Sequence, residues 1–397
     1  MQATNGSASP RRTRGRAMGC VLLLALVVTA LVLAPAAANA RKAAPGKQVA
    51  PETSDLVMLG DSITFGYSEE RFNIHFPTES PSFFEEGVAN DTLKLLRKSL
   101  GKGLTLVNDA CPGETSNGLI GENPALGGQA STESYEEVEG KPAEKFPAGG
   151  YQGLGDWHPC KWAFRNHLPL HNGGYFEGST EVSQLEEALA TVKSTNPVTE
   201  EPTKVKAITV NIGSNDELAA ITQCEDEVTL EFMKEGKSKY GATPESAVNG
   251  CIAATAFGVT VPHIVKNLGD ILGVLEANYS GPIILVGFYN PDADVLAGTD
   301  LLQKGANEAV EAELLPKFPH VTFANPFPVF NKGYNKLEKK PEMEQESICA
   351  YTEMCNPNVQ VKNGKPAGKD GDIHPSIKGY KALAKLIAAA YEANPAK

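Results

Sequence analysis

The chain has 397 residues, 41% of them hydrophobic, with 36 Lys+Arg against 48 Asp+Glu and a net charge of −12. Such an acidic balance disfavours nucleic acid and anionic lipid surfaces as partners, because both reward basic patches. The length fits one large α/β domain or two smaller ones.

The first forty residues read as a targeting segment. Arg11, Arg12, Arg14 and Arg16 precede an apolar run from Val21 to Leu33, and small residues follow, ending Ala38-Asn39-Ala40. A positive n-region, an apolar h-region and an A-x-A site make a secretory signal peptide. An uncleaved membrane anchor is the competing reading, but the run is shorter than the roughly 20 residues that span a bilayer. Cys20 lies before the apolar run, not where a lipoprotein cysteine would stand. Cleavage would remove four arginines and no acid, leaving 32 basic against 48 acidic side chains and a net charge of −16. No later stretch reads as a membrane span. The mature protein is therefore expected to be secreted and monomeric, with no stable membrane insertion. Residues 41–52 read as an Ala/Pro/Lys linker, and 53–397 as one domain.

Short apolar runs without polar alternation recur at Leu56–Leu59, Leu104–Val107, Ala207–Ile212, Ile283–Phe288 and Val321–Ala324. That pattern suits strands covered on both faces of a parallel sheet. Helices are predicted at Phe83–Ser99, Ser183–Lys193, Thr260–Asn278, Thr299–Leu315 and Ile377–Ala393, the last following Pro375-Ser376. Strands alternating with helices predict a layered, parallel α/β sheet. Two stretches break the rhythm. Residues 120–180 are rich in Gly, Pro and aromatics, and 224–255 carry charges between two cysteines. Both are expected to be cysteine-pinned loops near a cleft. Trp157, Trp162, Phe164, Tyr175 and Phe176 in the first could line that cleft or simply anchor the loop.

Four segments carry chemistry, each weak alone. Gly60-Asp61-Ser62 follows the first strand, with Gly66 four residues on, and ligands on open α/β sheets bind beyond strand carboxyl ends. A serine after a strand is, by itself, more often a helix N-cap. Asn108-Asp109-Ala110-Cys111-Pro112-Gly113 follows the second strand and Gly213-Ser214-Asn215-Asp216 the third. A glycine N–H and an asparagine amide there are suitable donors to a developing oxyanion, although both segments are also ordinary turn formers. Asp372-Ile373-His374-Pro375 precedes the final helix, and His374 alone among seven histidines has both a nearby carboxylate and a helix-starting proline. There is no G-x-S-x-G, so the α/β-hydrolase elbow is not supported.

Together, in this order, the four segments resemble the conserved blocks of the SGNH (GDSL-type) serine hydrolases, and they span residues 56–390. The resemblance implies a flavodoxin-like three-layer α/β/α sandwich with a five-stranded parallel sheet. It implies an esterase or lipase in which Ser62 is the nucleophile and His374 its general base. The Ser62 N–H, Gly113 N–H and Asn215 side chain would form the oxyanion hole. The cysteine placement and the stretches Pro169-Leu170-His171 and Ser183-Gln184-Leu185 look like a secreted actinobacterial branch. One departure stands out. The acid of the family usually lies three residues before the histidine, and here that residue is Gly371. Asp372, Asp370 or a backbone carbonyl would have to orient His374, with Asp372 favoured.

Six cysteines remain after the signal, an even count that suggests three disulfides among fifteen possible pairings. Pairing successive cysteines gives 111–160, 224–251 and 349–355. A metal site from His158, Cys160, His167 and His171 competes, but export removes free thiolates. No P-loop, H-E-x-x-H or dinucleotide fingerprint occurs, so no cofactor and no metal are expected, and activity should survive EDTA. The substrate is expected to be a small-molecule or lipid ester, with a lean toward lipid-like acyl esters. The alternatives are acetyl groups on carbohydrate, or a non-catalytic carbohydrate- or lipid-binding module on the same fold.

Overall fold

A computed structural model describes residues 54–68, 86–110, 114–120, 183–195, 202, 204–291, 299–334, 341–356, 360–361, 365–366 and 371–394. The signal segment, the linker, Cys111, Gly113, Cys160, Asp370, and the 120–180 insertion beyond Ile120 with its histidines and aromatics all lie outside these residues.

Five parallel strands, β1 (Ser54–Gly60), β2 (Leu104–Asn108), β3 (Lys204–Asn211), β4 (Ile283–Val286) and β5 (Val321–Ala324), form one sheet in the order β2-β1-β3-β4-β5. The five apolar runs fall on these strands, and alternation along β1 shows why each run is apolar throughout. Leu56 and Met58 point to one face, where helices Val88–Leu100 and Ile377–Ala393 bury Leu93, Leu96, Tyr380, Leu383 and Ile387. Val57 and Leu59 point to the other, against Leu185, Leu268, Leu272 and Leu302 of helices Gln184–Lys193, Val261–Asn278 and Thr299–Ala309. Both faces are dry, so neither tolerates polar alternation. The result is the three-layer α/β/α sandwich, in the flavodoxin-like strand order.

Stretch 224–255 differs from the expected pinned loop. It belongs to two helices, Ser214–Glu235 and Pro244–Thr255, tied by a Cys224–Cys251 disulfide. Ile221, Cys224 and Val228 make an inward stripe at helical spacing, and the charges that suggested a loop occupy the outer face. A capping box between Thr243 and Ser246, with Pro244 in the first turn, starts the second helix. Cys349 and Cys355 are also bonded. The helix predicted at Thr299–Leu315 is regular only to Ala309, after which a π turn, Val310–Leu314, and a 3₁₀ turn containing Pro316 close it.

A second correction concerns membrane spans. The helical stretch Pro244–Asn278 is long and apolar enough by composition to cross a bilayer. In this fold Cys251 in that stretch is bonded to Cys224, and Ile264, Leu268, Ile271 and Leu275 are wholly buried in the core beside the sheet.

Candidate active site

The strand order reverses direction at β1. The chain leaves β1 for β2 on one side and later returns to β3 on the other, so a crevice opens beyond the carboxyl ends of β1, β2 and β3. The segments after these three strands are the ones singled out by their chemistry.

Ser62 begins a one-turn helix, Ser62–Phe65. It is not the cap. Asp61 takes that place, its Oδ1 accepting the Ile63 N–H at 2.9 Å. The turn closes at Gly66, whose φ of 88° is left-handed, and Gly66 and Tyr67 donate backbone N–H groups to the Ser62 carbonyl. Ser62 is thus held on a short, rigid corner at the first helical position, where a backbone N–H has no helical acceptor.

His374 sits on a short strand, Asp372–Pro375, paired antiparallel with Thr352–Glu353. Ser376 caps the final helix by accepting the Gly379 N–H, and its own N–H donates to the Tyr351 carbonyl at 3.0 Å. His374 Nε2 lies 2.7 Å from Ser62 Oγ across 312 residues of sequence. Its Nδ1 contacts Asp372 Oδ1, and the same oxygen accepts the His374 backbone N–H at 3.0 Å. Asp372 is almost wholly buried. Because Nδ1 faces a carboxylate, it carries the proton, leaving Nε2 as the acceptor toward Ser62.

The departure at Gly371 has a steric cause. A Cβ there would lie 1.9 Å from the Met354 carbonyl oxygen, so no side chain fits at the position that usually holds the acid. Asp372 reaches the imidazole by folding back on its own strand.

Asn215 is buried at the start of helix Ser214–Glu235, and its Nδ2 donates to the Glu114 carbonyl at 2.8 Å. An amide nitrogen carries two hydrogens, and this bond uses one. Asp216 ties the same region together, accepting the Ser116 N–H at 2.9 Å and the Ser116 hydroxyl at 2.6 Å. Asn267 then donates to Ser116 Oγ and to Asn117 Oδ1. Burial raises the Asp216 carboxyl, with the Ser116 bonds opposing it. Burial also pushes Asp61 up to about 7, opposed by the Ile63 N–H and by charge on His374. Glu217, fully enclosed beside these acids, is raised well above its ordinary range, mainly by burial.

Three further side chains support the site, and of these Tyr289 and Tyr380 lie outside every motif. The Tyr67 ring lies 4.8 Å from the His374 ring. Tyr289 donates to the Ile373 carbonyl at 2.9 Å, and Tyr380 donates to the Tyr67 carbonyl. Each touches backbone or ring, contacts that sequence spacing cannot reveal.

A model of the GDSL-like lipase/acylhydrolase family matches residues 56–387. The chain belongs to that family. This GDSL-type hydrolase acts on esters, the chemistry of the family. Among solved structures it is similar to the lipase Lip_vut3 from a goat rumen metagenome, at 15% identity over 85% of this chain and 97% of that one, TM-score 0.37. A lipolytic G-D-S-L family protein from Veillonella parvula is similar at 12% identity over 86% and 99%, TM-score 0.37. A variant of Axe2, an acetyl-xylooligosaccharide esterase from Geobacillus, is similar at 15% identity over 85% and 95%, TM-score 0.35. No curated protein sequence matches.

Proposed function

We propose that this GDSL-type hydrolase is a secreted serine esterase that cleaves carboxylic esters through an acyl-enzyme at Ser62. The observation that carries the reading is the continuous line from Ser62 Oγ to His374 Nε2, at 2.7 Å, and from His374 Nδ1 to Asp372.

In the first half-reaction Ser62 Oγ attacks the ester carbonyl while His374 Nε2 takes the hydroxyl proton. Buried Asp372 stabilises the imidazolium that forms. Charge developing on the carbonyl oxygen is met by the Ser62 N–H and by Asn215 Nδ2; Gly113, outside the described residues, is proposed as the third donor. His374 then returns the proton to the leaving alcohol. Water enters, gives a proton to the same nitrogen and attacks the acyl carbonyl; His374 Nε2 then returns that proton to Ser62 Oγ as the acyl C–Oγ bond breaks, releasing the acid and restoring Ser62.

Export is supported by the arginine-rich, apolar leader and by two disulfides, which form and persist in oxidising compartments. The favoured substrates are lipid-like acyl esters. The test is an acyl-chain-length series of p-nitrophenyl esters on wild type and Ser62→Ala, with fluorophosphonate labelling. Loss of turnover and of label in Ser62→Ala is expected, with rates peaking above acetyl. A peak at acetyl would instead favour carbohydrate deacetylation. Full activity in Ser62→Ala would end the proposal, and ligand binding with no turnover in wild type would favour a binding module.

A further inference from the structure

Gly60, the last residue of β1, lies one rung beyond the point where β2 leaves the sheet. The final β1–β2 pair is Met58 with Asn108, whereas β1 continues to pair with β3 as far as Gly60 with Asn211. In a parallel ladder, alternate residues send both N–H and C=O to the same neighbour. The Met58 carbonyl accepts the Asp109 N–H and the Asp61 N–H donates to the Asn211 carbonyl, so the N–H and C=O of Gly60 face the side where β2 has ended.

The amide of Gln184 fills that rung. Its Oε1 accepts the Gly60 N–H at 2.8 Å and its Nε2 donates to the Gly60 carbonyl at 2.9 Å, taking the places of the carbonyl and the N–H that a neighbouring strand would offer there. The second Nε2 hydrogen goes to Glu114 Oε2 at 3.1 Å. Glu114 in turn receives Asn215 Nδ2 on its carbonyl. Gln184 is wholly buried at the first position of helix Gln184–Lys193, which is fixed by a reciprocal capping box between Ser183 and Glu186. The amide therefore leaves from a rigid base, with all three of its hydrogen bonds made inside the protein.

Resting on the serine-esterase reading above, we infer that Gln184 is a positioning residue that fixes the distance between the Ser62 corner and the oxyanion donors around Glu114 and Asn215. On one side it holds the backbone two residues before Ser62. On the other it holds the residue whose carbonyl anchors Asn215. It touches no reacting atom. A shift at this joint would misplace the donors relative to the attacked carbonyl while leaving His374 and Asp372 as they are.

The test compares wild type, Ser62→Ala, Gln184→Met and Glu114→Ala by kcat, KM and pH profile on p-nitrophenyl butyrate. Affinity for a trifluoromethyl ketone, which forms a tetrahedral adduct, and thermal stability are read on the same proteins. Gln184→Met keeps length and loses every hydrogen bond, and is expected to lower kcat about 10²-fold, the scale of a misplaced donor. KM should stay within about threefold, and ketone affinity should fall in proportion to kcat, as for an interaction made in the transition state. The acid limb of the pH profile should not move. Glu114→Ala leaves the Gly60 pairing intact and should give a smaller loss of the same pattern. A folded Gln184→Met with wild-type kcat and ketone affinity, however much less stable, would overturn the inference; so would a displaced acid limb. If Gln184→Met does not fold, Glu114→Ala decides, and wild-type kcat and ketone affinity in that variant would overturn it. Full turnover in Ser62→Ala would refute the esterase reading itself, a result distinct from either.

Discussion

Replacing Asp372 separates two contributions that are usually lost together. In Asp372→Ala the His374 ring loses both its charge partner and the acceptor that fixes its tautomer, and kcat should fall by about 10⁴. Asp372→Asn should behave differently here, because Asp372 Oδ1 also accepts the His374 backbone N–H at 3.0 Å. An amide nitrogen turned into that place would face one N–H against another, so the asparagine oxygen stays there and the proton stays on Nδ1. What disappears is charge. A unit charge about 4 Å from the imidazolium is worth about 4 kcal/mol at an effective dielectric of 20. Exchanging a charged for a neutral hydrogen-bond acceptor costs about 1–2 kcal/mol by mutational comparison. A loss of about 2–4 kcal/mol corresponds to roughly 30- to 1000-fold in kcat. The assay is kcat and KM on p-nitrophenyl butyrate for both variants at one pH on the plateau. Asp372→Asn should remain at least about tenfold faster than Asp372→Ala. Equal rates would refute the tautomer argument, and two variants within tenfold of wild type would show that a carbonyl, not Asp372, orients the ring.

The remaining predictions concern the frame of the site. Asp61 is raised from 3.8 to about 7 by burial. The folded state therefore holds this proton where the unfolded chain has lost it, so the contribution of Asp61 to stability falls as pH rises from about 4 to about 7 and then stays at the lower level. Asp61→Asn keeps the Oδ1 cap but adds a buried amide nitrogen, so it should gain about 1–3 kcal/mol above pH 7 in urea unfolding and little near pH 4. A variant less stable at pH 8 than wild type would contradict this. Gly371→Ala puts a Cβ against the Met354 carbonyl and should lower both the melting temperature and kcat, since the strand carrying His374 must shift; an unchanged kcat would show that this strand has slack. Cys224→Ala with Cys251→Ala opens a 27-residue loop, and calorimetry should register a loss of about 3–4 kcal/mol. Turnover at 25 °C should persist in the folded fraction, and loss of activity without loss of stability would count against that expectation.

Much of the scaffold was legible because burial on both faces leaves a direct mark on a strand. Val321–Ala324 and Ile377–Ala393 were read with the bounds they have in the structure, and the other four apolar runs fell on strands with shifts of up to three residues at their ends. The misses have local causes. Charges on the outer face of helix Ser214–Glu235 masked its short inward stripe, and the helix expected to run to Leu315 passes into a π turn after Ala309, ahead of the 3₁₀ turn that holds Pro316. Pro244–Asn278 is apolar enough for a bilayer because one side of it fills a core, a distinction that composition does not make.

The residue types of the site are legible along the chain, because Gly60-Asp61-Ser62, Gly213-Ser214-Asn215 and Asp372-Ile373-His374 are each short contiguous signals. Which carboxylate serves His374 is not settled by spacing, since Asp370 and Asp372 lie one residue to either side of the position where the family's acid usually stands, although Asp372 is the favoured one. Only the fold decided the contact with Asp372, by pressing the Met354 carbonyl against Gly371 and folding the short strand so that Asp372 returns to its own histidine. Gln184 was invisible as a tie for the same reason. Its importance comes from a rung that β2 vacates, and a vacancy in a hydrogen-bond ladder exists only once the strands have been laid side by side.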